Sequence, residues 1–434
     1  MASHTLKPNG YCPRLLDPIL DRRLRGFGAV EVVGTKYCGK TWTSLAHGQS
    51  VTHIDDDTTK QMVEIQPTLA LDGEQPHVID EWQDIPRIWD AVRRSIDETG
   101  NRRGQYILTG SSTVDKSQVS HSGAGRIAHV HMRPMSLQES GDSTGEISLA
   151  GLFEGQFAPS HVQTDIRDIA KLVCRGGWPA AIGQSEDLIA DLPAQYLAAL
   201  FNVSALKEGL DPRETRRVAM ALARNMGKTL TYKTLYEDTF LEELPKDADA
   251  SIPRQRLMPY LSFFISQYFI ENQVGWDAPV KSRSRVRSKP KRTFADPSLP
   301  ASLLSMTPKR LMRERQLFGD LFEELCVRDV RVYASALSQV AEPGVFYYAD
   351  ADGLEVDIVI ELPDGRWGAF EVKLSDDKVP KAVDSLIRLR NKVLANPKAQ
   401  NRAPEFLAVL VGRTEFCRQT PEGVYIVPIT CLGA

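Results

Sequence analysis

Through the first third of the chain, short apolar runs alternate with polar, helix-forming stretches. "AVEVVG" (29–34), "PHVIDE" (76–81) and "QYILTGS" (105–111) are the clearest strands, each ending in polar residues. That alternation predicts a parallel sheet with crossover helices. Helices are expected from Lys40 onward and over "IPRIWDAVRRSIDE" (85–98), where Asp84 can cap and Pro86 suits the first turn.

From about residue 160 to 275 the pattern turns largely helical, with "VAMALARNMGKTLTYKTLYEDTF" and "PRQRLMPYLSFFISQYFI" separated by an acidic loop. The last third returns to α/β texture. A helix is expected around "LFGDLFEELCVRDVRVYAS", then strands near 345–349, 354–361 and 367–374, a helix over 380–396 and a strand at "EFLAVLVG" (405–412). The expected fold class is α/β, with a P-loop-type parallel sheet first and a second α/β region last.

A length of 434 residues exceeds one ordinary core and predicts two or three domains. Hydrophobic content of 42% and charged content of 25% are those of a globular protein, and the formal charge of −3 leaves room only for a local basic patch. The six scattered cysteines form no C-x-x-C pair, which points to reduced thiols rather than a disulfide framework or a zinc site. "LMPYLSFFISQYFI" (257–270) is too short and too polar for a membrane span, so a cytoplasmic protein without membrane contact is expected.

"GTKYCGKT" fits G-x-x-x-x-G-K-[ST] from Gly34 to Thr41, between a β-branched strand and a helix. Gly34, Thr35, Lys36, Tyr37, Cys38 and Gly39 would wrap backbone amides around phosphates. Lys40 would face the β- and γ-phosphates and Thr41 would ligate Mg²⁺. Asp80, at the end of "VIDE", is the expected partner for Mg²⁺, and Glu81 the candidate to polarise the attacking water. Thr109 and Ser111 could sense a γ-phosphate from the tip of the third strand. The alternative is a glycine-rich turn with two surface acids. ATP is favoured as the nucleotide, because no N-K-x-D motif follows the third strand.

Downstream, Arg126 and Arg133 could each stabilise transition-state charge. Arg126, after a flexible Ser-Gly-Ala-Gly segment, is the preferred candidate against a plain surface ion pair. His129 and His131 alternate on an apparent strand and lack the partners of a metal site.

"VIDEWQ", "GQYILTGSS", "HSGAGR", "MRPMSLQESG" and "CRGGWPA" together resemble a widespread prokaryotic family of P-loop ATPases. In that family an AAA+-like ATPase domain is fused to a C-terminal domain called DUF4143. The resemblance runs from "YCPRLLD" to the strand at "FEVK". It implies an ATPase domain over 1–160, a winged-helix-like region over 161–300, and a C-terminal domain over 301–434 related to PD-(D/E)xK nucleases. Relatives often carry Pro-Arg after the first glycine, whereas this loop reads Thr35-Lys36-Tyr37-Cys38. Those positions contribute mainly backbone.

A PD-(D/E)xK site needs two carboxylates for Mg²⁺ and a lysine to orient water, often with a helical glutamate. In "GAFEVKLS" Glu371 and Lys373 share a face by the period of a strand. Asp357 in "GLEVDIVIEL" and Glu323 in "GDLFEELCV" complete the order that the resemblance implies. Asp357, Glu371 and Glu323 would hold the cation and Lys373 would stabilise hydroxide. The alternative is a fold kept without catalysis, with Glu371 and Lys373 as a salt bridge. Between residues 281 and 292, Lys281, Arg283, Arg285, Arg287, Lys289, Lys291 and Arg292 alternate with small residues, as a ribbon tracking DNA phosphates or a charge-protected edge would. The expected function is an ATPase coupling nucleotide state to DNA through a nuclease-like domain. The alternative is a nucleotide-dependent binding switch without cleavage, and a homo-oligomer or a protein partner fits either.

Overall fold

The structure, a computed structural model, describes residues 6–113, 122–162, 164–240, 251–279, 289–337, 344–400 and 402–434. The chain forms two compact units, Met1–Pro134 with Ile265–Phe269, and Met135–Phe264 with Ile270–Ala434. The continuous stretch of the first unit runs to Pro134, whereas the resemblance ends the ATPase domain at residue 160.

The first unit contains α1 (Asp17–Gly26), β1 (Ala29–Val33), α2 (Lys40–His47), β2 (Ser50–His53), α3 (Asp57–Ile65), β3 (His77–Asp80), α4 (Arg87–Glu98), β4 (Tyr106–Gly110) and β5 (Ile127–His131). Its strands form one parallel sheet in the order β2-β3-β4-β1-β5. Alternation along β1 divides the core. Ala29 joins Ile79, Leu108 and the aromatic face of α4. Val30 and Val32 join Val78, Ile107 and the leucines of α1. A strand covered on both faces is largely apolar, and the exception in β1, the buried Glu31, accepts from Trp82 at 3.0 Å and pairs with His129. The cap of α4 differs from expectation. Pro86 is the N-cap, no side chain caps the helix, and Asp84 instead pairs with Lys60 at 3.1 Å.

In the second unit, helices α5 (Ile166–Arg175), α6 (Asp191–Ala199), α7 (Pro212–Arg224), α8 (Tyr232–Phe240) and α9 (Ser251–Ser266) precede the antiparallel pair β8 (Ile270–Gln273) and β9 (Lys291–Phe294). Two short strands, β6 (Ile147–Ser148) and β7 (Ser160–His161), come before them. The long helix α10 (Arg315–Leu337) is followed by β10 (Gly344–Ala349), β11 (Glu355–Glu361), β12 (Trp367–Ser375), α11 (Val379–Leu394), β13 (Phe406–Arg413), β14 (Phe416–Gln419) and β15 (Tyr425–Pro428). A mixed seven-stranded sheet results, ordered β10-β11-β12-β13-β15-β14-β7. Trp367, Ala369, Val409 and Val411 pack against Val383, Leu386 and Leu389 of α11.

Helix α10 is buried on every side from Glu324 to Ala334, so its charged residues must be answered inside the protein. Arg328 bonds Asp296 at 2.8 Å and Asp329 at 2.6 Å. Asp296 also accepts from the Gly177 amide, and Asp329 from the Leu137 amide. The "MRPMSLQES" and "CRGGWPA" motifs are thus the lids of one buried ion network, and Trp178 is bonded beside it to Ser298 at 2.8 Å.

Candidate nucleotide site and carboxy-terminal groove

The loop Gly34–Gly39 leaves the carboxy end of β1 and enters α2. A Cβ at Gly34 would lie 2.0 Å from the Met132 carbonyl oxygen, and Gly39 begins α2 in the left-handed region at φ 106°. Both positions need glycine for different reasons, close approach and backbone hand. Lys40 is 5% exposed, and its ammonium donates to the Thr35 carbonyl at 2.9 Å, across the loop it closes. Beneath the loop the Arg14 guanidinium donates to the carbonyls of Cys38 (2.9 Å) and Arg133 (2.8 Å). The sequence motif "YCPRLLD" therefore belongs to this site. Tyr11 bonds Asp17 and Thr43 there.

Thr41 Oγ1 donates to Asp80 Oδ1 at 3.0 Å, and Thr109 Oγ1 reaches the same oxygen at 2.5 Å. His53 lies 3.3 Å from Asp80 Oδ2. Glu81 adopts φ 57° and ψ 41°, a left-handed conformation uncommon for a long side chain. That turn gives its amide to Thr109 at 3.1 Å and lets its carboxylate accept from Ser111 at 2.9 Å and from Gln83. Gln83, part of "VIDEWQ", went unassigned from sequence. Its Oε1 is buried without a hydrogen-bond partner beside Glu81. The hydroxyl–carboxylate pair on adjacent elements, with the loop amides and Lys40, can accommodate a phosphate chain and a hard cation.

Arg126 lies elsewhere. Its carbonyl accepts from Ala29 at 3.1 Å, so it precedes β5 at the amino ends of the strands, and its guanidinium pairs with Asp97 at 2.9 Å. The phosphate loop leaves the carboxy ends, about 15 Å away for strands of this length. Arg126 therefore cannot contact a phosphate held by its own chain's loop. Arg133 follows the carboxy end of β5, where the Met132 amide bonds Val33, and is the arginine on the loop side. Topology decides between two arginines seven residues apart. His129 pairs with Glu31 at 2.6 Å, and the His131 ring packs tilted at 45° against Tyr268, with centroids 5.1 Å apart.

In the second unit Glu323, Asp357, Glu371 and Lys373 come together on one groove of about 1120 Å³. Pairing of β11 with β12 stops at Ile358–Phe370, and beyond it the Val372 amide donates to the Asp357 carboxylate at 2.8 Å. The strands part there and open the groove. The Lys373 ammonium lies 2.5 Å from Glu371 and 3.4 Å from Asp357. Lys291 of β9, 2% exposed, lies 2.6 Å from Glu355 and 3.3 Å from Glu323. The cluster is thus a pair of lysine-bridged carboxylate couples. Among the described residues no three His, Cys, Asp or Glu side chains converge as a metal cage. The expected cage of Glu323, Asp357 and Glu371 is not formed in this arrangement, because ammonium groups already occupy the carboxylates. Burial and the charge of Asp357 push Glu323 up to about 7, and the same two causes raise Glu371. Burial alone would lower Lys291, but Glu323, Asp357 and Glu355 outweigh it and keep the ammonium charged.

Lys291 also corrects the basic ribbon expected over 281–292. Lys281, Arg283, Arg285 and Arg287 lie outside the described residues. Lys291 points inward to acids, and Arg292 sits over the Tyr232 ring at 5.6 Å.

A phosphate loop between an interior parallel strand and a helix, with a threonine bonded to an aspartate at the end of the next strand but one, defines a P-loop nucleotide-binding domain. The AAA domain family matches residues 27–141, and DUF4143, a domain of unknown function, matches 318–432. The chain therefore carries a P-loop domain of the AAA type and a C-terminal DUF4143 domain. A further domain of unknown function, DUF8612, matches 166–310. No curated protein matches the chain. Among solved structures it is similar to a Walker-type ATPase of Pyrococcus abyssi, at 10% identity and a TM-score of 0.40, over 70% of this chain and 99% of that one. It is also similar to the replication initiator DnaA bound to AMPPCP and single-stranded DNA, at 13% identity and a TM-score of 0.28, over 62% and 97%. Among the described residues no helix is long and apolar enough to cross a membrane.

Proposed function

We propose that this protein binds and hydrolyses ATP with Mg²⁺ at the Gly34–Thr41 loop, and that nucleotide state governs an interaction of its C-terminal domain with DNA. The observation that supports the reading is the Lys40–Thr41–Asp80–Thr109 arrangement, in which Lys40 bonds across the loop and both hydroxyls bond one oxygen of Asp80. When bound, Mg²⁺ would supply positive charge that offsets charge developing on the phosphates. Thr41 and Asp80 would hold it, and Lys40 would neutralise the terminal phosphates. Glu81, positioned by Ser111 and Gln83, would accept the proton of the attacking water.

The lysine-bridged carboxylates favour the switch reading, in which the DUF4143 groove binds without cutting. Cleavage would require Lys373 to give up Asp357 or Glu371 before a divalent cation could enter. The winged-helix reading of residues 161–300 draws on α7, α8 and α9 followed by the β8–β9 pair.

The test measures ATP turnover by the full chain with and without duplex DNA, beside Lys40→Ala. Turnover that depends on Lys40 and changes with DNA supports the proposal. Absence of nucleotide binding to the folded wild type overturns it.

A further inference from the structure

Lys378, Lys381, Ser385 and Arg388 follow each other from the N-cap of α11 at three- and four-residue intervals, the spacing of one helix face. All four line the groove. Arg315 of α10 and Arg413 at the end of β13 continue the cationic rim from two other elements. The five basic residues are exposed; the charge of Asp377 acts on Lys378 and Arg315, and that of Asp165 on Arg413. Against them the rim carries Asp320, Asp377 and the exposed Glu355, while Glu323, Asp357 and Glu371 deeper in the groove lie against Lys291 and Lys373. The groove therefore presents positive charge outward although the whole chain is weakly acidic.

The run from Lys378 to Arg388 covers about 15 Å of helix at 1.5 Å per residue. Each strand of B-DNA carries a charge per about 3.4 Å of axis, so the run spans about four phosphates. The aromatic residue on the groove wall, Phe318, is buried. Single strands are held by exposed aromatic platforms on which bases stack, and the groove's described lining offers none. A paired helix shows its phosphates and hides its bases, which suits a wall of cations alone.

We propose that the Lys378–Arg388 face of α11, with Arg315 and Arg413, is a docking surface for the sugar-phosphate backbone of duplex DNA. The inference rests on the DNA reading above and names the surface and form of DNA involved. It reads phosphates, so binding is indifferent to sequence and falls with salt.

The experiment is fluorescence anisotropy of the full chain with a labelled duplex over a salt series. Lys381→Glu with Arg388→Glu should weaken binding at least tenfold and lower the salt slope by about 2. The melting midpoint and ATP turnover without DNA should be unchanged, and Lys381→Arg with Arg388→Lys should retain binding. Unchanged duplex affinity in the folded charge-reversed variant overturns the proposal. So does a wild type that prefers single-stranded DNA, RNA or heparin to duplex. A wild type that hydrolyses ATP but binds no duplex at low salt defeats the docking surface and leaves the ATPase reading standing. One that binds duplex through these residues but takes up no nucleotide defeats the ATPase reading alone.

Discussion

Thr41 Oγ1 donates to Asp80 Oδ1 across 3.0 Å, joining the first turn of α2 to the end of β3, with β4 lying between β3 and the β1 strand that leads into the loop. The pair lets one hydroxyl and one carboxylate meet a cation without rearranging. Thr41→Ala should weaken Mg²⁺-dependent ATP binding by about tenfold, the worth of a bond to a charged group. Lys40→Ala should remove binding altogether. Calorimetry with and without Mg²⁺ checks both, and equal losses with and without the cation in Thr41→Ala would contradict its assignment.

Glu81 is placed by its left-handed backbone, Ser111 and Gln83. Glu81→Gln should slow turnover about 100-fold while leaving ATP binding intact, since a general base acts on the chemical step. Gln83→Ala should lower kcat by a smaller factor with little change in KM. A rise in KM alone in either variant would place these residues in nucleotide binding instead.

Lys291 bridges Glu323 and Glu355 from a nearly fully buried position. Lys291→Met leaves those carboxylates without their cation, and should destabilise the protein by about 3 kcal/mol. Millimolar Mn²⁺ should recover part of that loss in the variant and not in the wild type. Thermal unfolding with and without Mn²⁺ reads both effects, and an unaltered midpoint would show that the lysine is dispensable.

Glu324 is buried beside the Phe294 amide, and burial pushes its carboxyl up to about 8. The folded state then holds a proton that the unfolded chain releases at ordinary carboxylate pH. The corresponding stability is present below the unfolded value and is lost as pH rises through about 8. Glu324→Gln keeps an acceptor for Phe294 and removes the titration. Its stability should decline less between pH 5 and 8, by a slope of about one proton. Parallel pH profiles for variant and wild type would refute the assignment.

Much of the frame was legible in residue order. The strands over 29–34, 76–81 and 105–111, the phosphate loop, and Glu371 with Lys373 on one strand face all follow from local periodicity and spacing. Asp84 was misread because its pairing with Lys60 is made across 24 residues, and capping rules see only neighbours. Lys291 was misread for the same reason. Alternation with small residues looks like a solvated ribbon until three acids from other elements surround the ammonium.

The amino-acid order by itself determined the phosphate-binding loop, the aspartate that follows it, and the strand that sets a lysine two residues from a glutamate. Those depend on backbone hand and on the period of a strand, which a few adjacent residues specify. Only the tertiary structure decided that Arg133 and not Arg126 stands on the loop side of the sheet. It alone brought four scattered carboxylates against two lysines in one groove, with further cations on its rim. Electrostatic partnership depends on distance in space, and strands and helices far apart in the chain set that distance when they pack.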